Sequence, residues 1–250
     1  MTERGLSDLI GFVLVFSIIL LAVGSTLALG QGNLSEVRDG EQSRNAARAL
    51  VLLSQQFDEV ESGSASVRTG RVNVDRGTLS VENRTAVRVA VDDAGGTNLL
   101  DRTLPTRALS YELDGSTVAY ESGAVVRRQA NSARGVLRAR PQFTCEDDRA
   151  YVSIVTITGD TGTSLSGGTV SVTTRLADRR VVYPRNRSGS DTAGDAANVT
   201  VEFTGLSSNS AWRWLAVDGG WETNGGATYW CDGVDSAVVR QTVVEVELLT

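Results

Sequence analysis

The stretch "RGLSDLIGFVLVFSIILLAVG", residues 4–24, decides which fold the sequence predicts, because it begins with charge and then turns almost wholly apolar. The uncharged run extends over 21 residues, from Leu9 to Leu29. As a helix it would be roughly 31 Å long, which is enough to cross the hydrocarbon core of a bilayer. Three interpretations are open: a secretion signal that is removed, an uncleaved membrane anchor, or a short leader followed by a retained helix.

The residues before the apolar run favour the third interpretation. A secretory signal has a shorter apolar region and a basic leader, whereas here Arg4 and Gly5 directly precede a long one. "RGLSDLIGFVLVFSIILLAVGSTLALG" resembles the class III signal of archaeal type IV pilins and archaellins, and in particular a haloarchaeal family of pilin-like secreted proteins. The resemblance implies that a prepilin peptidase cuts between Gly5 and Leu6.

The resemblance also implies a function and a set of partners. The chain would be a minor or specialised pilin-like subunit, held in the cell membrane by its helix, with an extracellular head, and assembled with other pilin-like subunits into a surface filament. Asp8 would serve as the docking carboxylate, because the fifth mature position, Ile10, is not acidic. Gly24, Ala28 and Gly32 lie four apart on one helix face, where small residues permit close packing. The alternative is a monomeric, membrane-anchored extracellular domain that binds a ligand or a surface.

The apolar pattern changes after the predicted membrane span of about 9–29. Apolar residues recur at spacings of four and three, which indicates a helix with one buried stripe: Ala46, Leu50, Leu53, Phe57 and Val60. "SGSAS" at 62–66 ends this pattern. We therefore expect a leader at 1–5, a helix over 6–62 and a head over 63–250.

We predict that the head consists mainly of strands. Its segments alternate apolar and polar residues or are rich in β-branched residues, and glycine, asparagine and aspartate separate them. The predicted strands are "VRTGRVNV", "GTLSV", "AVRVAV", "STVAYES", "AYVSIVTIT", "GTVSVTTRL", "NVTVEF" and "VVRQTVVEVEL". "SSNSAWRWLAVDGG", residues 207–220, predicts a short helix that ends at its glycines. The predicted fold class is α+β: one long N-terminal helix, membrane-spanning in its first half, followed by a β-rich, mainly antiparallel extracellular head.

Composition excludes several functions. The 24 basic residues are all arginine, the net charge is −6 and histidine is absent. An acidic chain argues against binding to nucleic acid, which needs basic stripes. Without histidine the Ser-His-Asp and Cys-His arrangements are excluded, and a zinc site is disfavoured. We expect no cofactor, no metal and no enzymatic activity, although a carboxylate-pair hydrolase stays open because such a pair need not be local.

The head contains both cysteines and all four tryptophans of the chain. Cys145 and Cys231 predict a disulfide in an exported chain, and the alternative is two unpaired buried thiols. The tryptophans fall within residues 212–230 and predict either core packing near that bridge or a stacking platform for sugar rings. The N-glycosylation candidates are three sequons: Asn83, Asn186 and Asn198.

Overall fold

The structure, a computed structural model, describes residues 3–159, 162–184 and 192–250, with side chains described at 11–26 and from residue 40 onward in those ranges. The chain divides into two compact units, Met1–Gln42 and Ser43–Thr250. Helix α1 (Glu3–Ser62) forms the described part of the first unit, and its last turns, from Ser43, belong to the second.

The predicted α+β fold with a membrane-spanning first half is wrong. The protein is mostly β, with 50% of the described residues in strands and 23% in helices. The apolar stretch of α1 whose side chains are described covers only 16 residues, 11–26. Among the described residues, no helix combines the length and hydropathy that a membrane crossing requires.

The second unit contains all the strands of the described chain and two helices of four residues each, α2 (Asn209–Trp212) and α3 (Trp214–Val217). A short 3₁₀ helix covers Ala193–Asp195. The strands, in chain order, are β1 (Val67–Asn73), β2 (Thr78–Glu82), β3 (Ala86–Asp92), β4 (Asn98–Pro105), β5 (Ala108–Leu113), β6 (Ser116–Glu121), β7 (Ala124–Arg128), β8 (Gly135–Ala139), β9 (Phe143–Glu146), β10 (Arg149–Gly159), β11 (Ser164–Ser166), β12 (Thr169–Tyr183), β13 (Asn198–Thr204), β14 (Thr228–Asp232) and β15 (Ser236–Leu249).

The strands form three sheets. A five-stranded sheet has the order β1-β12-β15-β10-β9, a six-stranded sheet the order β11-β2-β5-β6-β7-β8, and a four-stranded sheet the order β14-β13-β3-β4. Neighbours pair antiparallel except β10 and β15, which run parallel over their whole shared length, from Arg149 opposite Ser236 to Gly159 opposite Val246. A parallel pair needs a long crossover, and here the chain from β11 to β14 supplies it.

Two cores fill the second unit, and opposite faces of the same strands line them. Val152 and Ile154 of β10 face one core, and Val155 and Ile157 of the same strand face the other. Successive side chains of a strand alternate between its two faces, so β10 is buried on both sides over most of its length. The run of apolar residues in β10 follows from this double burial.

The helix-covered core takes its name from α1. It contains Ala46, Ala47, Leu50, Leu53, Phe57 and Val60 of α1, Val155, Ile157, Val244 and Val246 of the five-stranded sheet, and Leu109, Tyr111, Val118 and Tyr120 of the six-stranded sheet. The predicted stripe is thus buried, and its spacing of three and four explains why one helix face can fill this layer.

The disulfide-side core lies on the other faces. It contains Val152, Ile154, Ala237 and Val239 of the five-stranded sheet, Val87, Val89, Val199, Val201 and Phe203 of the four-stranded sheet, and Trp212, Leu215, Trp221 and Cys231. None of the described side chains of α1 belongs to it. The two short helices, α2 and α3, supply Trp212 and Leu215, so the segment 207–220 folds as two helical turns rather than the one predicted helix.

Candidate functional site

An apolar segment in the first unit is the most exposed hydrophobic feature of the described chain. Between residues 12 and 23, ten large apolar side chains are each 51–73% exposed: Phe12, Val13, Leu14, Val15, Phe16, Ile18, Ile19, Leu20, Leu21 and Val23. Soluble monomers rarely expose apolar patches of this extent, and where they do the patch usually marks an interaction site. We call residues 11–26 the exposed apolar segment.

Two polar residues at the end of this segment make their hydrogen bonds within the helix. The hydroxyls of Ser25 and Thr26 donate to the carbonyl oxygen of Ala22, at 3.0 and 2.8 Å. Gly24 has no neighbour within 4 Å of the position where a Cβ would stand, so nothing in its own chain requires a glycine there. The segment therefore has a gap in its side-chain layer at residue 24.

The other predicted residues of the helix lie outside the described side chains. Gly5, Leu6 and Asp8 fall within the backbone range of α1, but the structure does not describe their side chains. The same holds for Ala28 and Gly32, the two further members of the predicted small-residue face. The leader cleavage site and the docking carboxylate remain predictions.

The three glycosylation candidates have different surroundings. Asn83 is exposed in the turn between β2 and β3. Asn198 begins β13 and is half-buried, with its Oδ1 buried and without a hydrogen-bond partner in the described structure. Asn186 lies outside the described residues. Accessibility therefore favours Asn83 among the two described candidates.

The predicted disulfide between Cys145 and Cys231 is confirmed, with a Cα–Cα distance of 5.9 Å. It joins β9, at one edge of the five-stranded sheet, to β14, at one edge of the four-stranded sheet. The amide of Cys145 also donates to the carbonyl oxygen of Gly219 at 3.1 Å. Gly220 has a φ of +76°, and a Cβ there would stand 1.9 Å from the carbonyl oxygen of Cys145, so only glycine fits beside the bridge.

The tryptophans mainly pack in the core near that bridge. Trp212 and Trp221 are 1% and 2% exposed in the disulfide-side core. The rings of Phe203 and Trp212 approach to 4.2 Å between centroids. Trp214 is half-buried against the same core, with the Arg140 guanidinium 4.9 Å above its ring. Two of the four indoles are thus unavailable as a platform for a sugar ring.

Glu121 is a buried carboxylate at the end of β6. Its Oε2 accepts hydrogen bonds from the amide and the hydroxyl of Ser207, at 3.0 and 2.6 Å. Its Oε1 accepts a bond of 2.8 Å from Trp212 Nε1. Burial raises the pKa of Glu121, and these donors oppose that shift. The arrangement ties the six-stranded sheet to the segment that carries α2.

A second buried carboxylate, Glu61, lies near the end of α1. Arg240 Nη2 donates to its Oε1 at 2.6 Å, and the hydroxyl of Ser153 donates to the same oxygen. Arg179 Nη1 donates to the Glu61 carbonyl oxygen at 3.1 Å. One turn earlier, burial and then repulsion from Glu61 raise the pKa of Asp58 to about 6. These contacts connect the helix end to β10, β12 and β15, and Oε1 of Glu61 accepts from two protein donors.

Neither carboxylate is arranged for chemistry on a bound substrate. Glu61 is 2% exposed and Glu121 is fully buried, so both are enclosed by their own partners. Within the described ranges, no group of three or more His, Cys, Asp or Glu side chains is placed to hold a metal ion. The two clusters therefore act as structural connections between α1, the sheets and the short helices.

The fold and the exposed apolar segment define a mostly β protein of three sheets that carries an N-terminal helix with an uncovered apolar surface. The chain belongs to a family of unknown function, DUF7289, whose profile matches residues 4–248. No curated protein and no solved structure matches the chain. Because the match begins before the apolar segment and ends in β15, the family includes both the helix and the β-rich unit.

Sequence reasoning did not find Glu61 or Glu121. Both stand in unremarkable contexts, "DEVES" at 58–62 and "AYESG" at 119–123. Their partners lie 91 residues away for Trp212 and Glu121, and 179 residues away for Arg240 and Glu61. Only the pairing of the strands brings such distant groups together, so no local signal was available.

Proposed function

We propose that the chain is a type IV pilin-like structural subunit at the cell surface, which assembles with other copies or related subunits through the exposed apolar segment. The observation that carries this proposal is the exposure of ten large apolar side chains at residues 12–23. Their removal from water is worth about 25 cal/mol per Å² of apolar surface, which favours association strongly.

A copy of the same helix suits this surface better than the head does. The head packs most of its own apolar residues into two cores. Gly24 leaves a gap in the side-chain layer without any need inside its own chain, and such gaps let helix backbones approach closely. The resemblance of residues 4–30 to pilin signals also supports association through the helix.

The head has the features of an exported domain with a structural role. Its disulfide suits an oxidising compartment, since such bonds are rare in the cytosol. We propose that the head faces outward from the filament and has no catalytic function. In this scheme the end of α1 holds the head, and the exposed apolar segment holds the subunit in the assembly.

The processing step is tested by intact mass spectrometry of the native protein. A prepilin peptidase that cuts after Gly5 would remove Met1 to Gly5 and leave Leu6 as the first residue. Gly5→Phe should block this cut and leave the full-length precursor. A native N-terminus at Met1, or one near Leu29, contradicts the proposed processing.

Assembly is tested by shearing cells and comparing the sheared fraction with the membrane fraction. Gly24→Leu should remove the subunit from sheared filaments, because the new side chain fills the gap that a neighbouring helix would enter. Ala22→Leu is the matched control, since it adds a leucine about 200° around the helix from Gly24. Ala22 is exposed as well, so the same bulk is added on a different face.

Three outcomes are distinguishable. Loss of assembly in Gly24→Leu alone supports the proposal, and loss in both variants supports a helix interface that is not confined to that face. Assembly of both variants at wild-type levels removes the small-residue face from the proposal. If the wild type never enters sheared filaments, the subunit role fails, and a monomeric surface domain that binds a ligand takes its place.

A further inference from the structure

The turn between β2 and β3 carries one of the N-glycosylation sequons, Asn83-Arg84-Thr85. β2 belongs to the six-stranded sheet and β3 to the four-stranded sheet, so this turn joins two sheets of the second unit. Asn83 is exposed, and its side chain makes no hydrogen bond in the described structure. The side-chain amide of Asn83 is therefore in contact with solvent and has no partner among the described residues.

Asparagine usually occurs in a turn for one of two structural reasons, and Asn83 meets neither. Asparagine tolerates a positive φ, and its side chain can accept a hydrogen bond from the backbone two residues on. Asn131 illustrates the first reason, with a φ of 59°, and Asn73 the second, because its Oδ1 accepts from the amide of Asp75 at 3.0 Å. Asn83 has no positive φ and makes no such bond in the described structure. Nothing in the described turn therefore requires an asparagine at this position.

The two residues that follow Asn83 are held by contacts with the rest of the head. Arg84 Nη1 donates to the carbonyl oxygen of Gly205 at 2.7 Å. Thr85 is 3% exposed, and its hydroxyl accepts a hydrogen bond from the hydroxyl of Thr106 at 3.0 Å. Within this sequon the asparagine alone is exposed. A large substituent on Asn83 Nδ2 can therefore extend into solvent without disturbing these contacts.

The second described sequon, at residues 198–200, lies in different surroundings. Its asparagine begins β13, which pairs with β3 on one side and with β14 on the other. Asn198 is half-buried with its Oδ1 buried, and it lies directly opposite Asp92 on β3 and Asp232 on β14. Directly opposite side chains on neighbouring strands are in close contact. A substituent on Asn198 would therefore have to be placed between two carboxylates, whereas one on Asn83 would not.

We propose that Asn83 carries an N-linked glycan, and that the sugar is attached before the turn between β2 and β3 folds. In this reaction Asn83 Nδ2 forms a bond to the anomeric carbon of a sugar. The bond from that carbon to a phosphate oxygen of a lipid-linked glycosyl phosphate donor breaks, the phosphate group keeps the bonding electrons, and the amide releases one proton. The inference rests on the proposed export of the head and is independent of subunit assembly.

The burial of Thr85 sets the order of glycosylation and folding. A sequon requires a hydroxyl residue at its third position, so the transferase must reach Thr85 as well as Asn83. In the folded head the Thr85 hydroxyl is bonded to that of Thr106, and the Thr85 carbonyl oxygen accepts from the amide of Thr106 at 3.0 Å. The transferase therefore acts before these bonds form, and folding then leaves the sugar in solvent.

The test of the site is mass spectrometry of tryptic peptides from the full-length protein, purified from the cells that produce it. Trypsin cuts after arginine, so Asn83 lies in the peptide of residues 77–84. We expect this peptide to carry the added mass of one or more sugar residues. Asn83→Gln should abolish the addition, and Asn198→Gln, the matched control, should leave it unchanged. Thr85→Ser should also keep the addition, because it retains the hydroxyl and its bond to Thr106.

The test of the order compares two acceptors for the same transferase. Membranes of the native cells, with their lipid-linked donor, are incubated either with folded protein whose residues 77–84 are unmodified or with a synthetic peptide of residues 77–92. The peptide should be modified at Asn83, and the folded protein should not, since its Thr85 is buried. Equal modification of both acceptors would overturn the proposed order.

Protease treatment of intact cells reports on export separately. If the protease cleaves the head and the peptide of residues 77–84 is unmodified, the glycosylation site is wrong and the proposed function still stands. If the head is protected from the protease in intact cells, both proposals fail, since each requires export. An added mass on this peptide that persists in Asn83→Gln would place the sugar on a hydroxyl side chain and would also overturn the site.

Discussion

The helix-covered core and the disulfide-side core are filled by different kinds of side chain. In the first, α1 lays a stripe of aliphatic side chains and Phe57 between two sheets. In the second, helical cover is reduced to two turns, and large aromatic rings together with the Cys145–Cys231 bridge fill the space. The comparison shows that the last turns of α1 belong to the second unit, whereas the large apolar side chains at residues 12–23 of the same helix are exposed.

The two cores also share their scaffold. β10 and β15 contribute one face to each core, so neither core can lose its packing without disturbing the other. We therefore expect a single cooperative unfolding transition. The two cores carry different optical probes, because all four tryptophans lie at residues 212–230 and the helix-covered core contains Tyr111 and Tyr120. Tryptophan fluorescence thus reports on one core alone.

Removal of the disulfide should have the largest effect on the free energy of unfolding. The bridge closes a sequence separation of 86 residues, for which chain entropy predicts a stabilisation of about 4–5 kcal/mol. The Cys145→Ala, Cys231→Ala double variant should lower the free energy of unfolding by about that amount in urea titrations. If the tryptophan and far-ultraviolet transitions separate in this variant, the two cores are less strongly coupled than their shared strands imply.

Phe57→Ala tests the helix-covered core directly. The Phe57 ring is fully buried and lies 4.4 Å from that of Tyr120, centroid to centroid. Its truncation should reduce the free energy of unfolding by about 3–5 kcal/mol, the usual cost of a buried phenylalanine. Phe16→Ala is the control on the same helix, since Phe16 is 51% exposed and its loss should leave head stability within about 0.5 kcal/mol.

A destabilising effect of Phe16→Ala in the isolated subunit would show that the exposed apolar segment also supports the fold. The same variant should instead reduce recovery in sheared filaments. A Phe16→Ala variant with a stable head and poor assembly would show that the two parts of α1 have different roles.

Glu121→Gln should have an intermediate effect on the disulfide-side core. The carboxylate accepts three hydrogen bonds, and an amide would turn a donor toward Ser207 or Trp212. We expect a loss of about 1–3 kcal/mol, the cost of an unsatisfied buried donor. Glu112→Gln, at an exposed position of β5, should be neutral in the same urea titration. An equally neutral Glu121→Gln would show that these three hydrogen bonds contribute little to stability.

Asp58 should produce the smallest effect, visible as a pH dependence. Its ordinary pKa of 3.8 is raised to about 6 by burial and by Glu61. The folded protein therefore binds more protons than the unfolded chain between those values, so its stability falls as the pH rises from about 4 to 6. Because Asp58 is only half-buried, solvent screening reduces the change to about 1 kcal/mol.

Asp58→Asn should remove this decline and stabilise the protein above pH 6. Asp178→Asn, at an exposed position, should keep the wild-type pH profile. Urea titrations at pH 4.5 and 7 are sufficient to compare the three proteins. A profile that stays unchanged in Asp58→Asn would assign the pH dependence to other groups.

The sequence predicted a strand or helix correctly where its apolar residues lie on one face and its polar residues on the other. β3, with "AVRVAV", and β13, with "NVTVEF", alternate as predicted. β5 and β7 were missed, because β5 is buried on both faces and β7 is buried over its first three residues and then ends in two arginines. β4 was missed because its centre, "DR", is polar at an exposed edge of the four-stranded sheet.

The sequence by itself determined the local features: the apolar run of the N-terminal helix, the stripe from Ala46 to Val60, the alternation of the strands and the presence of one cysteine pair. These are patterns of a few residues, and hydrophobic periodicity is enough to recognise them. It did not determine the class of the fold, because several strands, such as β5 and β7, carry no alternating pattern from which their share of the chain could be counted.

Tertiary structure alone decided which faces are buried and which distant groups meet. The parallel pairing of β10 with β15 brings Arg240 to Glu61, and the packing of α2 brings Trp212 to Glu121. The bulge in β8 brings Arg138 beside Arg134 and Arg127. Each contact depends on a strand register that one residue of slip would reverse, and no property of the separate segments fixes that register before the sheets and cores form.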